Sequence, residues 1–227
     1  MTARRLSWDE YALAWARARG GYDPRLATPS VRRWQYAAYR VGSALGRIWV
    51  RPGAISLVAV LVSLGVPLLA VRQQPSSPIV AAGLVLLVAM ADSVREAVAL
   101  TTGRMTRLGY VYDGFADRLT EVFWLAAFWQ LGASEVVVVA GGALSWLHEY
   151  VRARAVAAGM NEVGLVTVGE RGTRVWIAVV GLVVAGLAGL ILPEFRPGTI
   201  TVAAAVWLLL ALLGLGQLLT VVRRALR

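Results

Sequence analysis

Apolar residues in this chain are gathered into blocks separated by short polar stretches. Six blocks, roughly 54–71, 78–99, 111–131, 135–151, 174–192 and 199–222, have the length at which an α-helix crosses the hydrocarbon core of a bilayer. Pro75 and Pro78 punctuate the turn between the first and second blocks, and Pro193 and Pro197 that between the fifth and sixth. A Gly132–Ser134 turn joins the third to the fourth. Ahead of the blocks, Ser30 to Arg47 sets Trp34, Ala37, Ala38, Val41 and Leu45 at helical spacing against Arg32, Arg33, Arg40 and Arg47. That pattern suits an amphipathic helix lying in the membrane interface, and equally an ordinary surface helix. Residues 1–27 are polar and mixed, and Gly20, Gly21 and Pro24 mark a loop. The expected fold is all-α: an integral membrane protein with six transmembrane helices behind an N-terminal interfacial amphipathic helix. The expected division is a cytoplasmic N-terminal segment over 1–50 and a six-span membrane domain over 51–227.

Composition narrows the class. Hydrophobic residues make up 58% of the 227 positions and charged ones 16%, against about half and a quarter in soluble domains. The absence of Cys excludes disulfides and thiolate zinc sites. A single histidine, His148, argues against a histidine-based metal centre and reads as a packing or interface residue. Net charge is +10, and all 23 basic residues are Arg. They flank apolar spans, where positive charge sets topology and binds anionic lipid, so nucleic acid is not an expected partner. No apolar run follows Arg4 and Arg5 closely enough for a signal peptide. Arg is dense before residue 51, in the loops holding Arg104 and Arg107 and then Arg152, Arg154, Arg171 and Arg174, and in the tail. The opposite loops hold only Arg72 and Arg196. Both termini are therefore expected on the cytoplasmic side of the cell membrane. Trp residues near span ends, such as Trp49, read as interface anchors. Gly141, Gly142, Gly181, Gly186 and Gly189 read as points of close helix approach.

Candidate chemistry lies in three acids, Asp92, Asp113 and Asp117, at the cytoplasmic ends of the second and third blocks. Carboxylates in or near hydrocarbon are costly and read as functional. Asp113 and Asp117 are four apart and share a helix face; Asp92 comes from a different helix. Acids converging from two helices are suited to hold divalent cations through hard oxygen ligands.

The chain reads Asp92-Ser93-Val94-Arg95-Glu96-Ala97-Val98-Ala99-Leu100, then eight residues, then Gly109-x3-Asp113-x3-Asp117. This resembles the signature of the CDP-alcohol phosphatidyltransferases, Asp-x2-Asp-Gly-x2-Ala-Arg-x8-Gly-x3-Asp-x3-Asp, with unbroken spacing. Asp92, Ala99, Gly109, Asp113 and Asp117 match; Arg95, Glu96 and Leu100 replace an Asp, a Gly and an Arg. Tyr150-Val151-Arg152-Ala153-Arg154-Ala155 and Glu170-Arg171-Gly172-Thr173-Arg174 are similar to segments at the fourth and fifth spans of that family's bacterial phosphatidylglycerophosphate and phosphatidylinositol-phosphate synthases. The resemblance covers about residues 30–222.

The resemblance implies transfer of a phosphatidyl group from CDP-diacylglycerol to an alcohol with release of CMP, in a homodimer and toward the cytoplasm. It implies Mg²⁺ or Mn²⁺ on Asp92, Asp113 and Asp117, with Asp117 a ligand or the base, and nucleotide contact at Ala99 and Gly109. Glu96, four residues after Asp92, could supply the oxygen lost at Arg95. Arg95 could instead occupy a metal's place and pair with Asp92. Arg152, Arg154, Arg171 and Arg174 are either positive-inside anchors or a pocket for an acceptor phosphate such as that of glycerol 3-phosphate or inositol phosphate. Two readings stand side by side: an enzyme with a rearranged site, and an inactive relative that binds lipid or a partner.

Overall fold

The computed structural model describes residues 6–18, 21–160 and 167–226. Among them are eight α-helices, one 3₁₀ turn and no strand. In order they are α1 (Trp8–Ala18), α2 (Pro29–Arg47), α3 (Pro52–Val71), α4 (Ser77–Thr102), α5 (Arg107–Gln130), α6 (Glu135–Ala157) and α7 (Arg171–Ile191). The 3₁₀ turn Pro193–Phe195 then leads into α8 (Arg196–Ala225). Arg4, Arg5, Arg19 and Arg227, which enter the charge asymmetry, lie outside the described residues.

Four helical segments are long and apolar enough to cross a membrane: Pro52–Val71, Ser77–Thr102, Arg171–Ile191 and Pro193–Ala225. The other two expected spans form helices of 24 and 23 residues, about 35 Å at 1.5 Å per residue. Their apolar character is diluted by Asp113, Asp117, Arg118 and Glu121 in α5 and by Glu149, Arg152 and Arg154 in α6. Large side chains stand exposed along α3 (Leu57, Val58, Leu61), α7 (Trp176, Val180, Leu187) and α8 (Leu209, Leu212, Leu213). Surface of this kind suits hydrocarbon rather than water.

The chain divides into two compact units, Met1–Leu61 with Leu87–Asp117, and Val62–Leu86 with Arg118–Arg227. In the first unit, α1 is a helix that the sequence pattern did not lead one to expect, ahead of the turn at 21–24. Ser7 and Glu10 form a reciprocal capping box: the Ser7 N–H donates to Glu10 Oε2 (2.8 Å) and the Glu10 N–H to Ser7 Oγ (3.3 Å). Tyr11, Ala12, Trp15 and Ala16 then form one buried face. Trp8, Tyr11 and Tyr39 stack with centroids 5.2–5.7 Å apart. Arg25 fixes the passage to α2 by pairing with Asp23 (2.6 Å) and Asp9 (3.1 Å). Its guanidinium holds the Asp23 carboxyl below the usual carboxylate range.

Helix α2 forms where the periodicity expects it, but its buried stripe is Gln35, Ala38 and Gly42, while Ala37 and Val41 stay exposed. The reason is steric. A Cβ on Gly42 would lie 2.6 Å from Ala97 Cβ, so α2 meets α4 along its smallest residues. Trp34 Nε1 donates to Ser93 Oγ (2.9 Å) beside that contact. Ala38, Ile55, Val94 and Val98 make the adjoining core. Helix α4 ends in a Schellman motif: Gly103 takes φ +66° and the Arg104 N–H returns to Ala99 O (3.1 Å).

In the second unit, α8 packs on α6 and α7. The small residues expected to permit close approach do so. Added Cβ atoms would fall 2.6 Å from Ala203 Cβ at Gly181, 2.5 Å from Ile79 Cγ1 at Gly186 and 3.3 Å from Trp207 Cδ1 at Gly141. Trp207 is buried against Phe128 edge-on and donates from Nε1 to Ser145 Oγ (2.9 Å).

Substituting Gly181→Leu is expected to destabilise the protein by about 1–3 kcal/mol through overpacking. Gly83→Ala, where an added Cβ meets nothing within 4 Å, is expected to leave stability unchanged or slightly raised. Thermal unfolding of the two variants in detergent compares them directly.

Candidate functional site

In the first unit, α4 and α5 carry the acid motif. Thr106 starts α5 by accepting the Gly109 N–H on Oγ1 (3.0 Å), the hydrogen bond an N-cap makes to the third helical residue. A Cβ on Gly109 would meet that hydroxyl at 2.9 Å, so a larger residue there requires the Thr106 side chain to shift. Asp113 and Asp117 follow one and two turns later, both partly buried. Asp113 has both oxygens engaged: Ser56 Oγ of α3 donates to Oδ1 (2.8 Å), and Arg95 of α4 pairs with Oδ2. The Arg95 and Asp113 side chains are 17% and 22% exposed, so the pair is largely removed from water.

Arg95 therefore reaches the middle acid of the motif on the following helix, where pairing with Asp92 on its own helix was one expectation. Glu96, the residue that could supply a substitute ligand, is turned toward α1: its Oε2 accepts Trp15 Nε1 (3.1 Å). Spacing puts Glu96 near the face of Asp92, but α1, whose helix the sequence reading missed, draws it aside. Asp92 and Ala99 are partly buried on α4. Among the described residues no three Asp, Glu or His side chains are gathered so that they could hold a metal ion. With Asp113 held by a guanidinium and a hydroxyl, the residues do not fit the cluster of three metal-binding acids that the motif leads one to expect.

The second unit holds a separate polar network on α5, α6, α7 and the segment before α7. Glu121, 1% exposed, is its centre. One oxygen, Oε1, is approached by Arg118 Nη2 (2.9 Å), Arg174 Nε (3.1 Å) and Arg171 Nη1 (3.5 Å). The other, Oε2, is buried without a hydrogen-bond partner. Arg174, 2% exposed, also donates from Nη2 to Glu149 Oε1 (3.2 Å), and its Nη1 is buried and unbonded. Arg171 donates to Thr120 Oγ1 from both terminal nitrogens (3.1 and 3.2 Å). It also lies over the Trp124 ring at 5.4 Å. Arg152 binds Glu170 Oε1 (3.1 Å), which also accepts the Thr167 N–H (3.1 Å). His148 is buried, with Nε2 3.0 Å from Thr167 Oγ1 and Nδ1 3.6 Å from Glu149.

Three of the four expected phosphate-binding arginines, Arg152, Arg171 and Arg174, belong to this network. Arg154 is exposed and joins none of these contacts, because two residues along a helix turn a side chain well away from its neighbour. The reading from sequence missed Arg118, Glu121 and Glu149. Glu121 had a signal, an acid inside an otherwise apolar half of a span. Four guanidinium groups against three carboxylates leave an excess of positive charge, with buried donors aimed inward.

No protein-family model matches the chain. A phosphatidylinositol phosphate synthase of Corynebacterium glutamicum is 31% identical over 198 residues, covering 81% of this chain and 80% of that protein. The crystal structure of Mycobacterium tuberculosis phosphatidylinositol phosphate synthase (PgsA1) in complex with manganese and citrate superposes with a TM-score of 0.66. It is 20% identical and covers 82% of this chain and 88% of that one, and so shares the fold. An all-helical membrane protein with this motif and these similarities belongs to the CDP-alcohol phosphatidyltransferase family.

Removing one partner from a buried ionic network leaves charge uncompensated. Glu121→Gln, which removes the charge that three guanidiniums share, is expected to cost about 3–5 kcal/mol. Glu170→Gln, at a side chain 32% exposed, is expected to cost less. Denaturation midpoints in detergent give the comparison.

Proposed function

We propose that this protein moves a phosphatidyl group from CDP-diacylglycerol to a phosphorylated alcohol and releases CMP. The observation that carries this reading is the similarity to a phosphatidylinositol phosphate synthase across four-fifths of both chains. The acceptor hydroxyl oxygen attacks the phosphorus that bears the diacylglycerol. The bond from that phosphorus to the anhydride oxygen breaks, and CMP leaves with the electron pair. The hydroxyl proton passes to the Asp117 carboxylate, one turn beyond Asp113 on the same helix. Asp92 and Asp113 shape the nucleotide end with Ala99 and Gly109. Manganese is present in the solved neighbour, whereas in this chain Asp113 of the acid motif is paired with the Arg95 guanidinium.

The acceptor's phosphate is assigned to Arg152, Arg171 and Arg174. Guanidinium forks match phosphate oxygens, and buried positive excess favours a dianion over a neutral alcohol. The reading places six spans in the cell membrane, with α2 in the interface and the motif toward the cytoplasm. The exposed Val31, Val41, Ile48 and Trp49 beside Arg32, Arg40 and Arg47 support the position of α2.

CMP release from CDP-diacylglycerol, measured with inositol phosphate, glycerol 3-phosphate and their unphosphorylated counterparts, tests the reading. Phosphorylated acceptors are expected to support turnover. Asp117→Asn is expected to lower kcat by about 10²–10⁴-fold, the range of a lost general base. Arg171→Ala is expected to act mainly on the acceptor's KM. Turnover indifferent to Asp117→Asn would overturn the proposed base. For topology, a reporter fused after residue 74 is expected outside the cytoplasm, and one fused after residue 226 inside it.

A further inference from the structure

We propose that Arg95 is a built-in cation for the pyrophosphate of a nucleoside diphosphate, standing where a metal-ligating carboxylate and its ion would otherwise be. The ligand rests on the transferase reading above; the exchange of cation rests on geometry alone. Three observations support it. Arg95 is ion-paired with Asp113, whose remaining oxygen accepts the Ser56 hydroxyl (2.8 Å), so each oxygen already meets a donor from the chain. Both side chains are more than three-quarters buried, where a divalent ion approaching Asp113 meets the guanidinium's like charge with little screening. The neighbouring replacement, Glu96, is turned toward α1, where its Oε2 accepts Trp15 Nε1 (3.1 Å).

The two substitutions are thus absorbed in different directions, Arg95 by α5 and Glu96 by α1. That second anchorage is built. The capping box fixes the start of α1, and Tyr11 and Trp15 pack on Ala97, the residue after Glu96. Asp113 in turn orients Arg95. A guanidinium so held offers a planar fork to phosphate oxygens, which a single hydrated ion offers by coordination. A tethered cation is also carried by the chain itself, so its presence does not depend on metal supply.

The test uses the full chain in detergent, with Mn²⁺ and CDP as probes. Wild type is expected to bind CDP in the presence of EDTA and to show no saturable Mn²⁺ binding by calorimetry or electron paramagnetic resonance. Arg95→Gln is expected to weaken metal-free CDP binding roughly 10- to 100-fold, the worth of a charge-assisted hydrogen bond. Arg95→Asp with Glu96→Gly is expected to gain saturable Mn²⁺ binding. Should that double variant fail to fold, the wild-type titrations still decide. Saturable Mn²⁺ binding that Asp113→Asn removes, or CDP binding that requires Mn²⁺, overturns the proposal. CMP release separates it from the transferase reading. Metal-free CDP binding without turnover on any acceptor sinks the transferase and keeps the cation. Chelator-sensitive turnover with Mn²⁺ binding keeps the transferase and sinks the cation.

Discussion

A carboxylate taken out of water must be met by positive charge, and Glu121 imposes that demand at the middle of the second unit. Arg118 answers from its own helix, and Arg171 and Arg174 answer from the start of α7. Arg174 then needs a second acceptor and finds Glu149 on α6. One buried acid thereby fixes the register of three helices that apolar packing alone leaves free to slide. Hydrophobic contact is non-directional; charge-assisted hydrogen bonds are not. The glycines at 141, 181 and 186 complement this by letting helices approach closely enough for short side chains to meet.

The same rule governs the first unit with the opposite chemical result. There the buried acid is Asp113, and the cation nearest it comes from the chain itself, through Arg95. A guanidinium and a divalent metal both neutralise a carboxylate, but they exclude each other by like charge. Keeping the spacing of a family motif therefore does not by itself keep each acid's partner. Asp92, Gly109, Asp113 and Asp117 hold their positions in the helices, while one substitution sets a guanidinium against Asp113.

Legibility in the sequence followed the physical range of each signal. Helical periodicity and block length are local, and the six apolar blocks do form helices α3 to α8. The capping box before Tyr11 was equally local, yet α1 was not expected, because its 11 residues mix polar and apolar types. For α2 the element was legible, and the face it turns to α4 was not. The apolar stripe through Ala37 and Val41 is the larger one by hydrophobicity, but steric fit chose Ala38 and Gly42 against Ala97. Burial of a helix in a membrane protein follows shape as much as polarity.

Residue order by itself determined the helices, their apolar surfaces, the positive flanks and the family, since each depends on neighbours a few positions apart or on spacing within one motif. Tertiary structure alone decided the partners. Whether Arg95 would take Asp92 or Asp113, whether Glu96 would complete the motif or turn to Trp15, and which acids would receive Arg171 and Arg174 all depend on helices distant in sequence. A charged side chain in low dielectric binds the opposite charge that packing brings within about 3–4 Å, and that distance is a property of the assembled helices, not of the order of residues.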